Sequence, residues 1–453
     1  MALIVLTAGC VSLDDGGPPA TMAPSSSAAS PAPASLYLDV PLPGVTSQDV
    51  IRTPSLQEPP ARVAFADPAF GTRLVRVTDR RADIAPGDTS QGLKNEHSRV
   101  QAFNADGSRF IIRGTGASWY LYNATTLLPE GRLPFDGATE PRWDATRPDD
   151  LYYFDGPRFM RYNITAQEKS GVHDFSSQFS PHAPAYVWTR YEGSPSQDGR
   201  YWGLMAQGGA GKVFAFVIYD LVEDRIVARK DITPTLGVDC VTISPLGDYF
   251  LAYFEPLHDG KTGSDSSPGG LMVYDRELKN GRCLLRDIGH SDLALDSQGR
   301  EVLVYQDNDN DTIAMCDLAT GQITDIAPID FSHTAIGLYF SGRALGAPGW
   351  ALVSTHDDDP ISHTWMDDQV FAIELKPGGG VVRLAHTHSL VDEKQEQDKW
   401  AEPQATVDRN FTRVLFTSNW GRSGTAAVDT YMIVLPQGWM STEGTEATVT
   451  PML

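Results

Sequence analysis

Between residues 98 and 420 one pattern of polar and apolar positions recurs seven times: a polar start, a short apolar run, a turn, then a strongly β-prone run. The turns read FNADGSRFII (103–112), DATRPDDLYY (144–153), PSQDGRYWGL (195–204), ISPLGDYFLA (243–252), LDSQGREVLV (295–304), LYFSGRALGAPGWALV (338–353) and TVDRNFTRVL (406–415). Short β-rich runs bounded by Gly, Pro and Asp read as strands joined by tight turns. Most turn-to-turn spacings lie between about 43 and 52 residues, with the last about 70, which is the size of a four-stranded propeller blade. In the first unit SRVQAF supplies one strand, NADGS the turn, RFIIRG the second strand, and WYLYNATTLLPEGRL the third and fourth. The pattern therefore predicts an all-β fold, a seven-bladed β-propeller of four-stranded antiparallel blades. One further strand, within RVAFADPAFGTRLVRVTDRR (62–80), precedes the first unit. It is expected to complete the last blade and close the ring, which removes exposed sheet edges.

Composition refines this picture at the termini. The chain opens MALIVLTAGC, an apolar run ending in small residues before Cys10, and Pro, Ser and Ala then dominate. This resembles the lipobox of bacterial lipoproteins. The expected organisation is a lipoprotein-type signal over 1–10, a disordered Pro/Ser/Ala-rich tether over 11–60, the propeller over 61–440 and a flexible tail over 441–453. Export follows, with lipid anchoring at Cys10 as the only membrane attachment, and a monomer is expected. Without Cys10 the cysteines are Cys240, Cys283 and Cys316, so at most one disulfide forms, and buried free thiols are expected. With 36 basic and 58 acidic residues the formal charge is −22, which argues against nucleic acid as a partner because that requires a basic footprint.

A propeller's innermost strands surround its axis, and residues two apart on a strand share a side. Measured back from each turn, such pairs are Arg190 and Glu192, His290 and Asp292, and Glu402 and Gln404; His97, Glu140, Arg142, Asp239 and His333 enter at neighbouring positions. They predict a polar funnel at the starts of the inner strands. Two acidic loops, Asp307–Asp311 and His356–Asp368, are expected on the same rim. The first lacks the Gly and Glu of a calcium loop and reads as a polar hairpin. No nucleophile elbow, Walker loop, His-Glu-x-x-His or Cys-x-x-Cys occurs.

The units AEPQATVDRNFTRVLFTSNWG (401–421), GHSDLALDSQGREVLVY (289–305) and HSRVQAFNADGSRF (97–110) resemble the WD40-like, TolB-type propellers, and within these the oligogalacturonate lyases. That resemblance implies cleavage of uronate-containing glycans by β-elimination, with manganese held by three His and a Gln. Aligned on the last turn, Lys399 stands at the Gln position, and Glu402 and Gln404 stand at two of the His positions. His333 falls at the third His, and His290 at the base. A degenerate divalent-cation site of His333, Glu402 and Gln404, for manganese or calcium, is therefore one expectation; the other is that Lys399 replaces the cation. β-Elimination needs a base and a positive group to neutralise the developing charge. His290 would be the base, oriented by Asp292 or Asp239, with Arg190, Arg142, Lys399 or a metal neutralising. His97, Arg142, Glu192 and Trp400 would bind the carbohydrate. The alternative is a non-catalytic envelope propeller whose funnel takes a protein or peptide, as in TolB.

Overall fold

The repeat closes on itself. The computed structural model describes residues 34–137, 139–256, 263–359 and 361–440; Cys10, the signal, the tether's first part (11–33) and the tail 441–453 lie outside them. Seven antiparallel sheets form the blades. Blade 1 consists of Leu93–Lys94, Arg109–Gly114, Ser118–Asn123 and Pro129–Asp136, from the inside outwards. Blades 2 to 6 start with the inner strands Arg142–Trp143, Tyr186–Trp188, Val238–Ile243, Ser291–Leu295 and Gly337–Ser341. Blade 7 has the inner strand Thr406–Val407, followed by Arg413–Ser418 and Asp429–Val434. The strand Arg73–Arg76 then pairs with Asp429–Val434, Arg73 opposite Val434 and Arg76 opposite Tyr431, and Ala64–Ala66 adds a fifth strand outside it. Two early strands thus close the ring where one was expected.

Turn chemistry explains why the repeat is so regular. Gly107, Gly199, Gly247 and Gly299 take left-handed backbone angles (φ 68° to 78°) at four inner turns, a conformation that costs glycine least. Asp106, Asp144, Asp198, Asp296 and Asp408 accept backbone N–H bonds across their turns, the side-chain mimic of a turn. The middle strands are apolar on both sides because each blade is packed between two others. Val213–Asp220, for example, is buried along its whole length. The outer strand of blade 2, Glu168–Asp174, is half-buried to exposed. Trp119, Trp202, Trp143 and Trp188 are buried in the blade packing. Cys240 and Cys316 are buried free thiols and Cys283 is half-buried and free.

Residues 36–60, expected within the tether, are tied to the ring. Tyr37 donates its hydroxyl to Ala124 O. Val45 bridges to Arg383 on the outer strand of blade 6, and the Arg383 guanidinium donates to Ser47 O and Asp49 O. Trp420 Nε1 donates to Leu56 O at 3.0 Å. Glu58 accepts from Arg80 and Arg422 at 2.9 and 2.8 Å. Backbone carbonyls that find buried donors hold this strap in place despite its coil-like composition.

Candidate functional site

The inner strands deliver a cluster of ionisable side chains to the ring's axis. Arg99, just past the first inner strand, reaches across to blade 5, where it donates to Ser291 O and Ser291 Oγ. Its Nη1 lies 2.8 Å from Glu192, and its guanidinium stacks 4.8 Å from the Tyr253 ring. Burial alone would raise the Glu192 carboxyl, but Arg99, with His97 and His290 beside it, brings it down to about 2. His97 Nε2 is 3.9 Å from Glu192. Burial holds the His97 imidazole down at about 3 and that of His290 at about 4, with the Arg99 charge pushing both the same way. His290 is open to the funnel but walled by protein, so its ring is neutral at pH 7 and accessible.

The opposite wall is a hydrogen-bonded chain. The His290 ring packs on Tyr339 with centroids 4.2 Å apart. Tyr339 donates its hydroxyl to Glu402 Oε2 at 2.6 Å, and Gln404 Nε2 donates to the same oxygen at 3.0 Å. Gln404 Oε1 accepts from Lys94 Nζ at 2.8 Å, and the Lys94 ammonium lies 6.0 Å from the Trp400 ring centre. Lys94 is only 5% exposed. Burial lowers its ammonium to about 8, with Arg113 adding to the shift and Glu402 and Glu96 opposing it. It is therefore still mostly charged at pH 7.

A cavity of about 510 Å³ opens from this cluster between blades 4 and 5, lined by Arg99, Arg190, Glu192, Asp239, Arg286 and His290 among others. That volume suits a small ligand. A second cavity, of about 750 Å³, lies between the strap and blade 6 around Trp350 and Trp439 and has no histidine on its wall.

Several expected roles are redistributed. His290, Glu192, His97, Glu402, Gln404 and Arg190 meet in the funnel and its cavity. Asp292 does not orient His290. Its carboxylate turns into the blade 5–blade 6 contact, where it accepts from Arg343 at 2.8 and 3.0 Å and from Gly342 N. His290 precedes the strand that Asp292 lies in, so strand alternation does not hold across the two. Arg142 is buried and engaged by Glu96 at 2.9 Å and by the carbonyls of Pro141, Tyr191 and Gly193, within the protein and not towards the funnel cavity. Glu140 is likewise taken by Thr189 and Tyr191. Lys399 sits on the short helix Glu396–Ala401, exposed, beside Glu396. His333 faces solvent with its side chain 70% exposed and bonds to Asp330. Trp400 packs against Val391, Ala401 and Val428 and meets the funnel only through Lys94. Asp307–Asp311 forms the polar hairpin, with Asp307 accepting from Asp309 N and Asn310.

The set does not fit a divalent cation. Gln404 Oε1 is turned to an ammonium, Glu402 Oε2 already takes two donors, and His333 points away. Among the described residues no three His, Cys, Asp or Glu side chains are arranged to hold a metal. Sequence reading missed Lys94, Arg99, Tyr339 and Arg286. Arg99 was within reach of it, since it lies two residues after His97. Lys94 and Tyr339 carried no signal, because what defines them is a partner on another blade.

No family model and no curated protein match the sequence. Among solved structures, an oligogalacturonate lyase in complex with manganese is similar at 14% identity and TM-score 0.57, over 83% of this chain and 96% of that one. The oligogalacturonate lyase of Vibrio parahaemolyticus is similar at 11% identity and TM-score 0.56, over 83% and 97%. At these identities the likeness is one of fold: the chain has the seven-bladed propeller fold of the oligogalacturonate lyases.

Proposed function

We propose that the funnel binds an acidic carbohydrate and that His290 starts its cleavage by β-elimination. The observation that carries this is His290 itself: an accessible imidazole, neutral at pH 7, on a sugar-sized cavity whose wall also bears Arg99, Arg190 and Arg286. In the reaction His290 takes the proton on the carbon next to the uronate carboxylate. The electron pair forms a C=C bond to the neighbouring carbon, the glycosidic C–O bond there breaks, and the departing oxygen is protonated from water. A neutral imidazole is the competent form of such a base. The nearby cations favour the charge that develops on the carboxylate. The fold shared with two oligogalacturonate lyases supports the same reading. From the MALIVLTAGC start we also propose export with lipid attachment at Cys10.

A second reading is a non-catalytic propeller that binds a protein or peptide. It is favoured by Leu236, 63% exposed on the cavity rim, beside Asp239 and Glu255. Incubation with a panel of uronate polymers and oligomers separates the two, read as ultraviolet absorbance of unsaturated products. The lyase reading expects a signal that His290→Ala abolishes. Silence across the panel from folded protein would overturn it in favour of the second reading.

A further inference from the structure

The role of Lys94 follows from its pairing. A buried ammonium is costly unless an opposite charge or several acceptors meet it, and a lysine has three N–H bonds to place. Lys94 makes one hydrogen bond, to the neutral Gln404 Oε1, and no ion pair among the described residues. The carboxylates that would quench it are held elsewhere: Glu96 by Arg142, and Glu402 by Tyr339 and Gln404. The Trp400 ring, 6.0 Å away, supplies only a weak cation–π contact. Lys94 is joined to the base through a chain of side chains: it donates to Gln404 Oε1, Gln404 and Tyr339 share Glu402 Oε2, and the His290 ring packs on Tyr339.

We infer that Lys94 is the group that receives the ligand's carboxylate, so that the funnel takes an acidic sugar directly on a built-in cation, with no divalent metal between them. This rests on the reading of the funnel as an acidic-sugar site. Two free N–H bonds on a desolvated ammonium suit the two oxygens of a carboxylate, and such charge-assisted bonds are about twice as strong as neutral ones. The donor set that rejects a metal is the one that holds the lysine: Gln404 Oε1 anchors one N–H and leaves the others to the ligand. Lys94 thus takes the part that the sequence suggested for Lys399.

Titration calorimetry of the full chain with trigalacturonate and with a neutral galactose trimer, each with and without EDTA, tests this. Wild type is expected to bind the acidic trimer equally well in EDTA and at least tenfold more tightly than the neutral one. Lys94→Gln should lose at least tenfold for the acidic trimer with no change for the neutral one, and Lys94→Arg should keep most of the affinity. Binding abolished by EDTA and restored by manganese would overturn the inference while leaving the acidic-sugar reading intact. So would a Lys94→Gln protein that binds like wild type. Wild type that binds neither trimer would sink both. If Lys94→Gln melts below wild type, the EDTA arm and Lys94→Arg decide the matter on folded protein.

Discussion

Two buried clusters of charge lie in this ring, and they are treated in opposite ways. At the closing seam Asp429 accepts from Arg80, Thr78 and the Arg80 N–H, with Arg76 alongside at 3.5 Å. Arg76, Arg80 and Arg422 in turn converge on Glu58 from the strap. Three cations face two carboxylates there, and each carboxylate is shared. In the funnel the charges are only half-matched: Arg99 and Glu192 pair, whereas among the described residues Lys94 makes no ion pair and His290 no hydrogen bond to an orienting carboxylate. Shared charge fixes geometry; unpaired charge leaves capacity for a ligand. The seam is thus where the ring is fastened, and the funnel is where chemistry is to be sought.

The sharpest way to break this contrast is to cut each cluster and read both stability and activity. Asp429→Ala strands Arg80 and Arg76 in the seam and is expected to cost about 3–5 kcal/mol in urea unfolding. His290→Ala should do the reverse, lowering turnover on a uronate substrate by about 10²–10⁴-fold while urea unfolding shifts by under about 0.5 kcal/mol. Equal loss of stability in both variants would erase the distinction.

Acid is a further probe. His97, His290, His356 and His388 are all held low, at about 3, 4, 4 and 4, chiefly by burial. The unfolded chain binds these protons near pH 6.5, so stability is complete above that value and falls as pH drops from about 6.5 through about 4. Thermal melts between pH 7 and pH 4 should show it. Over the same window the rate attributed to neutral His290 should rise with pH through about 4 and then level off.

A smaller effect is expected at the cavity's edge. Arg286 lines the cavity and is exposed, so Arg286→Ala should weaken binding of an acidic oligomer by about tenfold, the worth of one hydrogen bond to a charged group. The smallest effects belong to His333→Ala and Lys399→Ala, which point to solvent. Both should leave affinity and melting temperature within error, and a loss of activity in either would restore the role suggested by alignment.

How much of this was legible follows from the range of each interaction. The blades could be read because a turn such as NADGS carries its own instructions: Asp106 bonds within two residues and Gly107 supplies the positive φ. Ring closure was legible because one surplus strand had one open place to go. In the funnel, the nearness of His290, Glu192, Glu402 and Gln404 follows from their positions ahead of the turns, though not their roles. Their partners do not follow from those positions, because Arg99 reaches Glu192 and Ser291, and Lys94 reaches Gln404 310 residues away. Asp292 failed for the same reason: Arg343, 51 residues on, claimed it. The strap shows the limit of composition, since residues 36–60 are held by their backbone carbonyls and by Glu58.

The closing strand also sets a timetable. Arg76 leaves the ribosome well before Asp429, its partner 353 residues on; at roughly 5–20 residues per second that is a wait of about 20–70 s. Through that interval Arg73–Arg76 has Ala64–Ala66 on one side, and its other edge, the one that meets Asp429–Val434, has nothing to pair with. The sequence RLVR places an arginine at each end of two apolar residues, the pattern of a gatekept segment that resists pairing with strangers. The two side chains that later ground the seam and the strap, Arg76 on Asp429 and Arg73 on the carbonyls of Leu36 and Asp39, are thus the ones that keep the latch soluble until there is something to latch to.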